Sequence, residues 1–241
     1  MALLEVRNLG KSFRGLRALH DVSFDVPDHA IVAMIGPNGA GKTTCFNLVA
    51  GVFAPDGGTV NLGGKPITGL RPDQICQAGV GRTFQVVKPF AQMSVLDNVV
   101  VGALNRGADV AAARVAAQRI LELLQLAGKR DQLAGQLTLP ERKRLEVARA
   151  MATEPRLLLL DEVMAGLRPT EVDEMVAVFR RINGETGMTI LLIEHVMRAV
   201  MALAQHIIVL HHGEKICEGS PQQVVRDPAV LECYLGEEAV E

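Results

Sequence analysis

The sequence predicts an α/β protein, a largely parallel β-sheet flanked by helices and built around a phosphate-binding loop. Three observations predict it. The apolar run Ala30 to Ile35 ends in GPNGAGKT at residues 36–43 and leads into the helical stretch CFNLVAG, and a phosphate loop requires that order of strand, Gly-rich turn and helix. A short, wholly apolar run at Leu157 to Leu160 and the strand-like TILLI at 189–193 read as strands covered on both faces of a parallel sheet. Helix-patterned segments alternate with these strands, at about 170–186 and again in VMRAVMALA before HIIVL, and that alternation is the mark of a layered α/β fold.

In chain order, LLEVRNLGKSF and then Phe24 to Val26 read as strands that precede the phosphate loop. Residues 54–69 carry seven Gly or Pro around short β-like pieces, which predicts a hairpin region. Val80 to Gln85 reads as a further short strand. From 94 to 134 the chain changes character: Ala, Leu, Val and Arg dominate, and RVAAQRILELLQLAG has helical spacing of its apolar positions, which reads as a helical insertion. Thr138 to Glu141, TLPE, has the form of a capping box, with Pro140 in a first turn where its missing N–H is tolerated. The helix ERKRLEVARAMAT follows it. No Pro/Gly/Ser linker divides the chain, so one domain over residues 1–241 is expected. Its core is expected at about 1–89 and 156–241, with a helical subdomain at about 90–155.

Composition narrows the function classes. In 241 residues, 25 Lys and Arg balance 27 Asp and Glu for a formal charge of −2, so the mean charge carries no nucleic-acid footprint. With no Trp, one Tyr and seven Phe, a stacking platform for single strands is not expected. The four cysteines, Cys45, Cys76, Cys217 and Cys233, form no CxxC pair, which argues against a zinc site or a disulfide framework and fits a reducing compartment. The N-terminus has no signal-peptide pattern, and no stretch approaches the ~20 apolar residues of a spanning helix. A cytoplasmic, soluble chain is expected, with any membrane role supplied by a partner.

The chemistry concentrates at three places. GPNGAGKT, Gly36 to Thr43, matches G-x-x-x-x-G-K-[ST]. Its glycines let successive backbone N–H groups turn toward an anion, and the helix that follows adds its positive end. Lys42 supplies a cation to the terminal phosphates and the Thr43 hydroxyl a ligand for Mg²⁺. LLLLDE delivers Asp161 and Glu162 at a strand end, where ligands of α/β sheets sit. Asp161 there suits a metal, and Glu162 suits an attacking water. His195 follows a strand expected beside that of Asp161, within reach of a γ-phosphate. Gln85, at the end of VGRTFQ, reads either as a functional or as a surface glutamine. The run Arg142-Lys143-Arg144 reads as a solvated helix face rather than a nucleic-acid patch.

Together Phe13, GPNGAGKTT, Gln85, LLLLDE and His195, in this order and at these separations, resemble the nucleotide-binding subunit of an ATP-binding cassette (ABC) transporter over essentially the whole chain. VGRTFQVVKPF, RLEVARAMATEPRLLLLDE, AGLRP, LLIEHVM and YLGEE are similar to importers of branched-chain amino acids and related amides. The resemblance implies a P-loop NTPase core of ABC ATPase type with an antiparallel β subdomain and a helical subdomain, and ATP with Mg²⁺ as cofactors. It implies that Phe13 stacks on adenine, although an ordinary core Phe remains the alternative. Gly36, Pro37, Asn38, Gly39, Ala40, Gly41, Lys42, Thr43 and Thr44 would wrap the phosphates, Thr43 and Asp161 would serve the metal, and Gln85 would touch Mg²⁺ or the attacking water and report occupancy to the membrane subunit. Glu162 would be the base and His195 would hold the γ-phosphate. The segment after Gln85 would help receive a coupling helix of the membrane subunit, or simply pack within the helical subdomain. The implied partners are a second ATPase subunit, two membrane permeases and an extracytoplasmic solute-binding protein, with the chain peripheral to the inner face of the membrane.

Departures from the family pattern are informative. Where the family has a signature near LSGGQ, which works on the γ-phosphate of the opposite subunit, this chain has Leu137-Thr138-Leu139-Pro140-Glu141. Both glycines are replaced, Pro140 has no N–H to donate, and Glu141 brings negative charge toward a polyanion. Thr138, Leu139, Pro140 and Glu141 are therefore expected to form a weakened trans signature. Arg168 and Val196 stand where many relatives have Asp. Two alternatives follow: a regulatory cassette with weak intrinsic ATPase, or a soluble ABC ATPase acting on nucleic acid.

Overall fold

The computed structural model describes residues 1–84, 88–107 and 109–238. The chain opens with two long antiparallel strands, β1 (Ala2–Phe13) and β2 (Leu16–Pro27), and passes through β3 (Ile31–Ile35) into α1 (Lys42–Val49). A hairpin of β4 (Gly57–Leu62) and β5 (Lys65–Pro66) follows, then α2 (Pro72–Ala78) and β6 (Val80–Arg82). Helices α3 (Val95–Ala103), α4 (Val110–Leu123) and α5 (Leu139–Met151) separate β6 from β7 (Leu157–Asp161). The last third runs α6 (Pro169–Thr186), β8 (Thr189–Ile193), α7 (Met197–Leu203), β9 (His206–His211), β10 (Glu214–Gly219), α8 (Pro221–Val224) and α9 (Pro228–Glu238).

Two sheets result. A four-stranded antiparallel sheet has the order β2-β1-β4-β5, and a six-stranded sheet has the order β10-β9-β3-β8-β7-β6. Within the second, β6, β7, β8, β3 and β9 are parallel, and β10 closes one edge antiparallel to β9. Side chains of successive strand residues leave opposite faces, and the core divides accordingly. Ala33, Leu158, Leu160, Ile190 and Ile207 pack toward α3–α7, whereas Val32, Met34, Leu157, Leu159 and Leu191 pack toward α1 and the antiparallel sheet. Strands covered on both sides have no solvent face, which is why β3, β7 and β8 are apolar at nearly every position.

The strand and helix expectations hold in outline, with adjustments at the ends. The strand at 80–85 stops at Arg82, and α1 begins at Lys42 rather than Cys45 because Gly41, at φ 100, caps it. Elements α2, β10, α8 and α9 have no counterpart in the sequence reading. Glu141 and Thr138 do form the expected cap, the Thr138 N–H donating to Glu141 Oε2 at 2.9 Å.

One expectation is overturned. Arg142-Lys143-Arg144 is not a solvated face: Lys143 and Arg144 are only 6 % and 8 % exposed. Helix α5 packs against α3, α4, β6 and β7, and buried cations there need partners. Arg144 donates to Glu174 Oε2 at 2.6 Å and to Gln125 Oε1 at 3.3 Å, and Lys143 donates to the Glu162 carbonyl at 3.1 Å.

Candidate functional site

The phosphate loop joins β3, in the middle of the parallel sheet, to α1, and its backbone path leaves no room for a side chain at Gly36 or Gly41. A Cβ on Gly36 would sit 2.0 Å from the Leu210 carbonyl oxygen, and one on Gly41 2.6 Å from that of Ala18. The first turn of α1 carries no acidic residue, so the helix dipole faces the loop without local opposition. Lys42 is buried, and its ammonium donates to the carbonyls of Gly36 and Pro37 at 2.6 and 2.7 Å.

The loop is one wall of a cleft of about 680 Å³ lined by Asn38 to Thr44, Phe13, Glu162 and His195, with Arg17 and His212 as further cationic or titratable neighbours. Gly36 and Pro37 stand behind this wall and hold Lys42. Phe13 is half-buried at the cleft rim, its ring edge-on to Phe53 with centroids 5.2 Å apart. It is therefore not an interior core residue.

Strand β7 delivers Asp161 to the same end of the sheet. Asp161 is 1 % exposed, and its Oδ2 accepts from Arg82 Nη2 at 3.1 Å. Burial pushes the carboxyl up from its ordinary value, while the Arg82 charge and hydrogen bond pull it down. Arg82 is itself held by Asn47 Oδ1 at 2.6 Å. Asp161 Oδ1 is buried with no hydrogen-bond partner. A second cavity, of about 500 Å³, is lined by Thr43, Arg82 and Asp161 among others. A hydroxyl and an unpartnered buried carboxylate oxygen on one cavity fit Mg²⁺, which takes few protein ligands and completes its shell with phosphate oxygens and water.

Glu162 follows in a left-handed backbone conformation, φ 49, uncommon for a residue with a Cβ. Its N–H donates to the Ile193 carbonyl at 2.9 Å, and its carbonyl accepts from Lys143. Its side chain is 16 % exposed and meets His195, with Oε1 and Nε2 2.9 Å apart. That contact follows from sheet order, since β7 and β8 are neighbours with Asp161 level with Ile193. Beside it Glu194 is 1 % exposed, and its Oε1 accepts from the Met164 N–H at 2.8 Å. Burial pushes the Glu194 carboxyl up to about 7.

The structure thus gathers Phe13, Asn38 to Thr44, Lys42, Glu162 and His195 at one cleft, with Asp161 and Thr43 on the adjoining cavity. Gln85 lies outside the described residues. Thr138, Leu139, Pro140 and Glu141 do not line the cleft. They form the start of α5, where Glu141 pairs with Lys129 as well as with Thr138. Arg82, Lys143 and Glu194 were not singled out from the sequence as site residues. The only sequence signal for Arg82 and Glu194 is a charge at the end of an otherwise apolar strand. Arg168, on the loop beyond Glu162, starts α6, where its N–H donates to Glu171 Oε2 at 2.8 Å.

The ABC transporter family model matches residues 19–165, and that of the branched-chain amino acid ATP-binding cassette transporter matches residues 214–240. The chain is 40 % identical over 250 residues to the high-affinity branched-chain amino acid transport ATP-binding protein BraF of Pseudomonas aeruginosa, covering 98 % of both chains. It is 37 % identical to the LivG protein of Escherichia coli K12, which bears the same description, again over 98 % of each. Among solved structures, the ADP conformation of MJ1267, an ATP-binding cassette of an ABC transporter, superposes with a TM-score of 0.89 at 32 % identity, over 98 % of this chain and 99 % of that one. A family match across most of the chain, and relatives aligned almost end to end, carry one conclusion: the chain belongs to the ABC transporter family, as one of its ATP-binding, ATP-hydrolysing cassettes.

Proposed function

We propose that this cassette powers an importer of branched-chain amino acids or similar small solutes. It would do so as one half of an ATPase dimer seated beneath two membrane permeases that an extracytoplasmic solute-binding protein serves. The observation that carries the solute class is the match at residues 214–240. It covers β10 to α9, outside the phosphate loop and its catalytic neighbours, which ATPases of every solute class need.

In this reading the amides of Gly39 to Thr44 and the Lys42 ammonium hold the β- and γ-phosphates, and the Phe13 ring covers adenine. Glu162 accepts a proton from the attacking water, and His195, 2.9 Å from it, orients the γ-phosphate against that water. Thr43, Asp161 and Gln85 would hold Mg²⁺, which neutralises charge on the phosphate oxygens when bound. Residues 90–155 act as the helical subdomain. The apolar groove lined by Val52, Ile75, Phe84 and Val101 supports a permease contact beside it. Among the described residues no helix is long and apolar enough to cross a membrane, so attachment falls to that contact.

A second element of the reading concerns the trans signature. An N-terminal helix turn attracts anions through free amides. Here the Thr138 N–H is taken by Glu141, Pro140 has none, and the Glu141 carboxylate stands in the first turn. This supports an asymmetric dimer in which the signature offered by this chain is weak and the partner cassette completes the site at Lys42.

The test is the ATPase rate of the complex purified with its permeases in lipid vesicles. Stimulation by binding protein loaded with leucine, isoleucine or valine is the expected result. A rate indifferent to these, or stimulated by nucleic acid instead, overturns the proposal.

A further inference from the structure

Glu162 holds a left-handed backbone conformation, φ 49, which is strained for a non-glycine residue and persists only where its surroundings over-determine it. The surroundings here are unusual. Three contacts converge on residues 162–164, one from α5 and two from the end of β8, and two of them come from buried ionisable side chains with no evident part in binding nucleotide. From α5, two residues beyond the signature segment, the Lys143 ammonium donates to the Glu162 carbonyl at 3.1 Å. From the loop after β8, Glu194 Oε1 accepts the Met164 N–H at 2.8 Å. From β8 itself, the Ile193 carbonyl takes the Glu162 N–H at 2.9 Å.

We propose that Lys143 and Glu194 are positioning residues for ATP hydrolysis, which lock the backbone on either side of Glu162 and so hold its carboxylate against His195. The inference rests on the reading of Glu162 as the base. Its physical content is that burying a lysine and a glutamate is costly unless each is paired. Lys143 is 6 % and Glu194 1 % exposed, and what each obtains in return is a backbone group of the Glu162 loop. The two side chains also sense each other. The Lys143 charge pulls the Glu194 carboxyl down against a burial that pushes it up, and Glu162, the other charge facing Glu194, adds to the upward push. Glu194 lies next to His195 in the chain, so the same side chain links the two loops whose tips meet at 2.9 Å. Neither residue touches the phosphate loop, so the pair is expected to govern turnover and not nucleotide affinity.

The test uses the full chain in its transporter complex, with ATP affinity, kcat, KM and thermal midpoint measured for each variant. Lys143→Met keeps the length and apolar stem of the side chain but loses the donor. Glu194→Leu loses the acceptor, and Glu194→Gln retains it. Displacing a catalytic group by about an ångström costs up to about 100-fold. Lys143→Met and Glu194→Leu are therefore expected to lower kcat about 10- to 100-fold while ATP affinity stays within about twofold. Lys143→Arg and Glu194→Gln, which can remake the bonds to backbone, are expected to recover most of the rate. Wild-type kcat in folded Lys143→Met and Glu194→Leu overturns the proposal. So does a loss of kcat and ATP affinity together that the Arg and Gln variants fail to rescue, because that marks general damage to the fold. Glu162→Gln is measured alongside: if it turns over normally, the reading of Glu162 as the base has failed, whatever the other variants do.

Discussion

Replacing Arg82 with methionine isolates the electrostatics at the end of β7. Arg82 and Asp161 form an ion pair at 3.1 Å with side-chain exposures of 11 % and 1 %, so solvent screens it little. The substitution keeps the apolar stem and removes the guanidinium, leaving Asp161 buried beside its unpartnered Oδ1. Breaking a buried pair from one side costs about 3–5 kcal/mol when the remaining charge stays ionised. The pH dependence has a definite sign. Burial already raises the Asp161 carboxyl above its ordinary 3.8, and Arg82 is the main group pulling it down. Without Arg82 the folded-state value rises further. A group raised in the folded state costs nothing below its unfolded value, and its penalty grows as pH climbs through the folded one. The full loss is therefore expected at pH 8. At pH 4, close to the unfolded value of 3.8, most of that penalty is gone, and little beyond about 1 kcal/mol for the lost Asn47 hydrogen bond should remain. For a chain of this length the pH 8 loss corresponds to a drop in thermal midpoint of roughly 10 °C. Urea unfolding of the full chain at both pH values reads it directly, and adding Asp161→Asn to Arg82→Met should recover most of the stability at pH 8. An equal loss at pH 4 and pH 8, or no recovery with asparagine, means that the pair does not work as described.

Three further outcomes follow from the site. Lys42→Ala removes the ammonium that the Gly36 and Pro37 carbonyls hold at 2.6 and 2.7 Å, and calorimetry with MgATP is expected to show binding weakened at least about 100-fold, as for loss of a buried charge-assisted contact worth ~3 kcal/mol. Glu162→Gln keeps the shape of the cleft and removes the carboxylate proposed as the base. ATP binding should persist while kcat falls by about 10²- to 10⁴-fold, and a rate within about twofold of wild type removes Glu162 from that role. Leu139→Gly with Pro140→Gly removes the leucine bulk and restores the one missing amide at the start of α5, so steady-state ATPase of the assembled complex should rise severalfold. An unchanged rate contradicts a weakened signature.

Much of this site is legible in the linear chain because its chemistry is local. The Gly36-to-Thr43 turn works through consecutive backbone N–H groups, and spacing alone therefore exposes it. The wholly apolar Leu157 to Leu160 run announces a strand covered on both faces, and the carboxylates at its end follow. Thr138 and Glu141, three residues apart, advertise a cap and form one. Secondary elements without a strong period, such as β10 at the sheet edge and the short α8, left no such trace.

What no window of sequence could provide is the company each residue keeps across the fold. Lys143 and Arg144 look like a solvated basic run because helical periodicity reports which positions are apolar, not which charges find buried partners in another element. The sheet order, with β8 beside β7 and β3, brings His195 to Glu162 from 33 residues away and Arg82 to Asp161 from 79. Packing around the central strands supplies the rest, drawing Glu194 and Lys143 onto the backbone of the Glu162 loop. The order of residues along the chain thus sets which phosphate chemistry is available. The distances that align that chemistry come from long-range pairing, whose energy depends on neighbours that the local pattern does not contain.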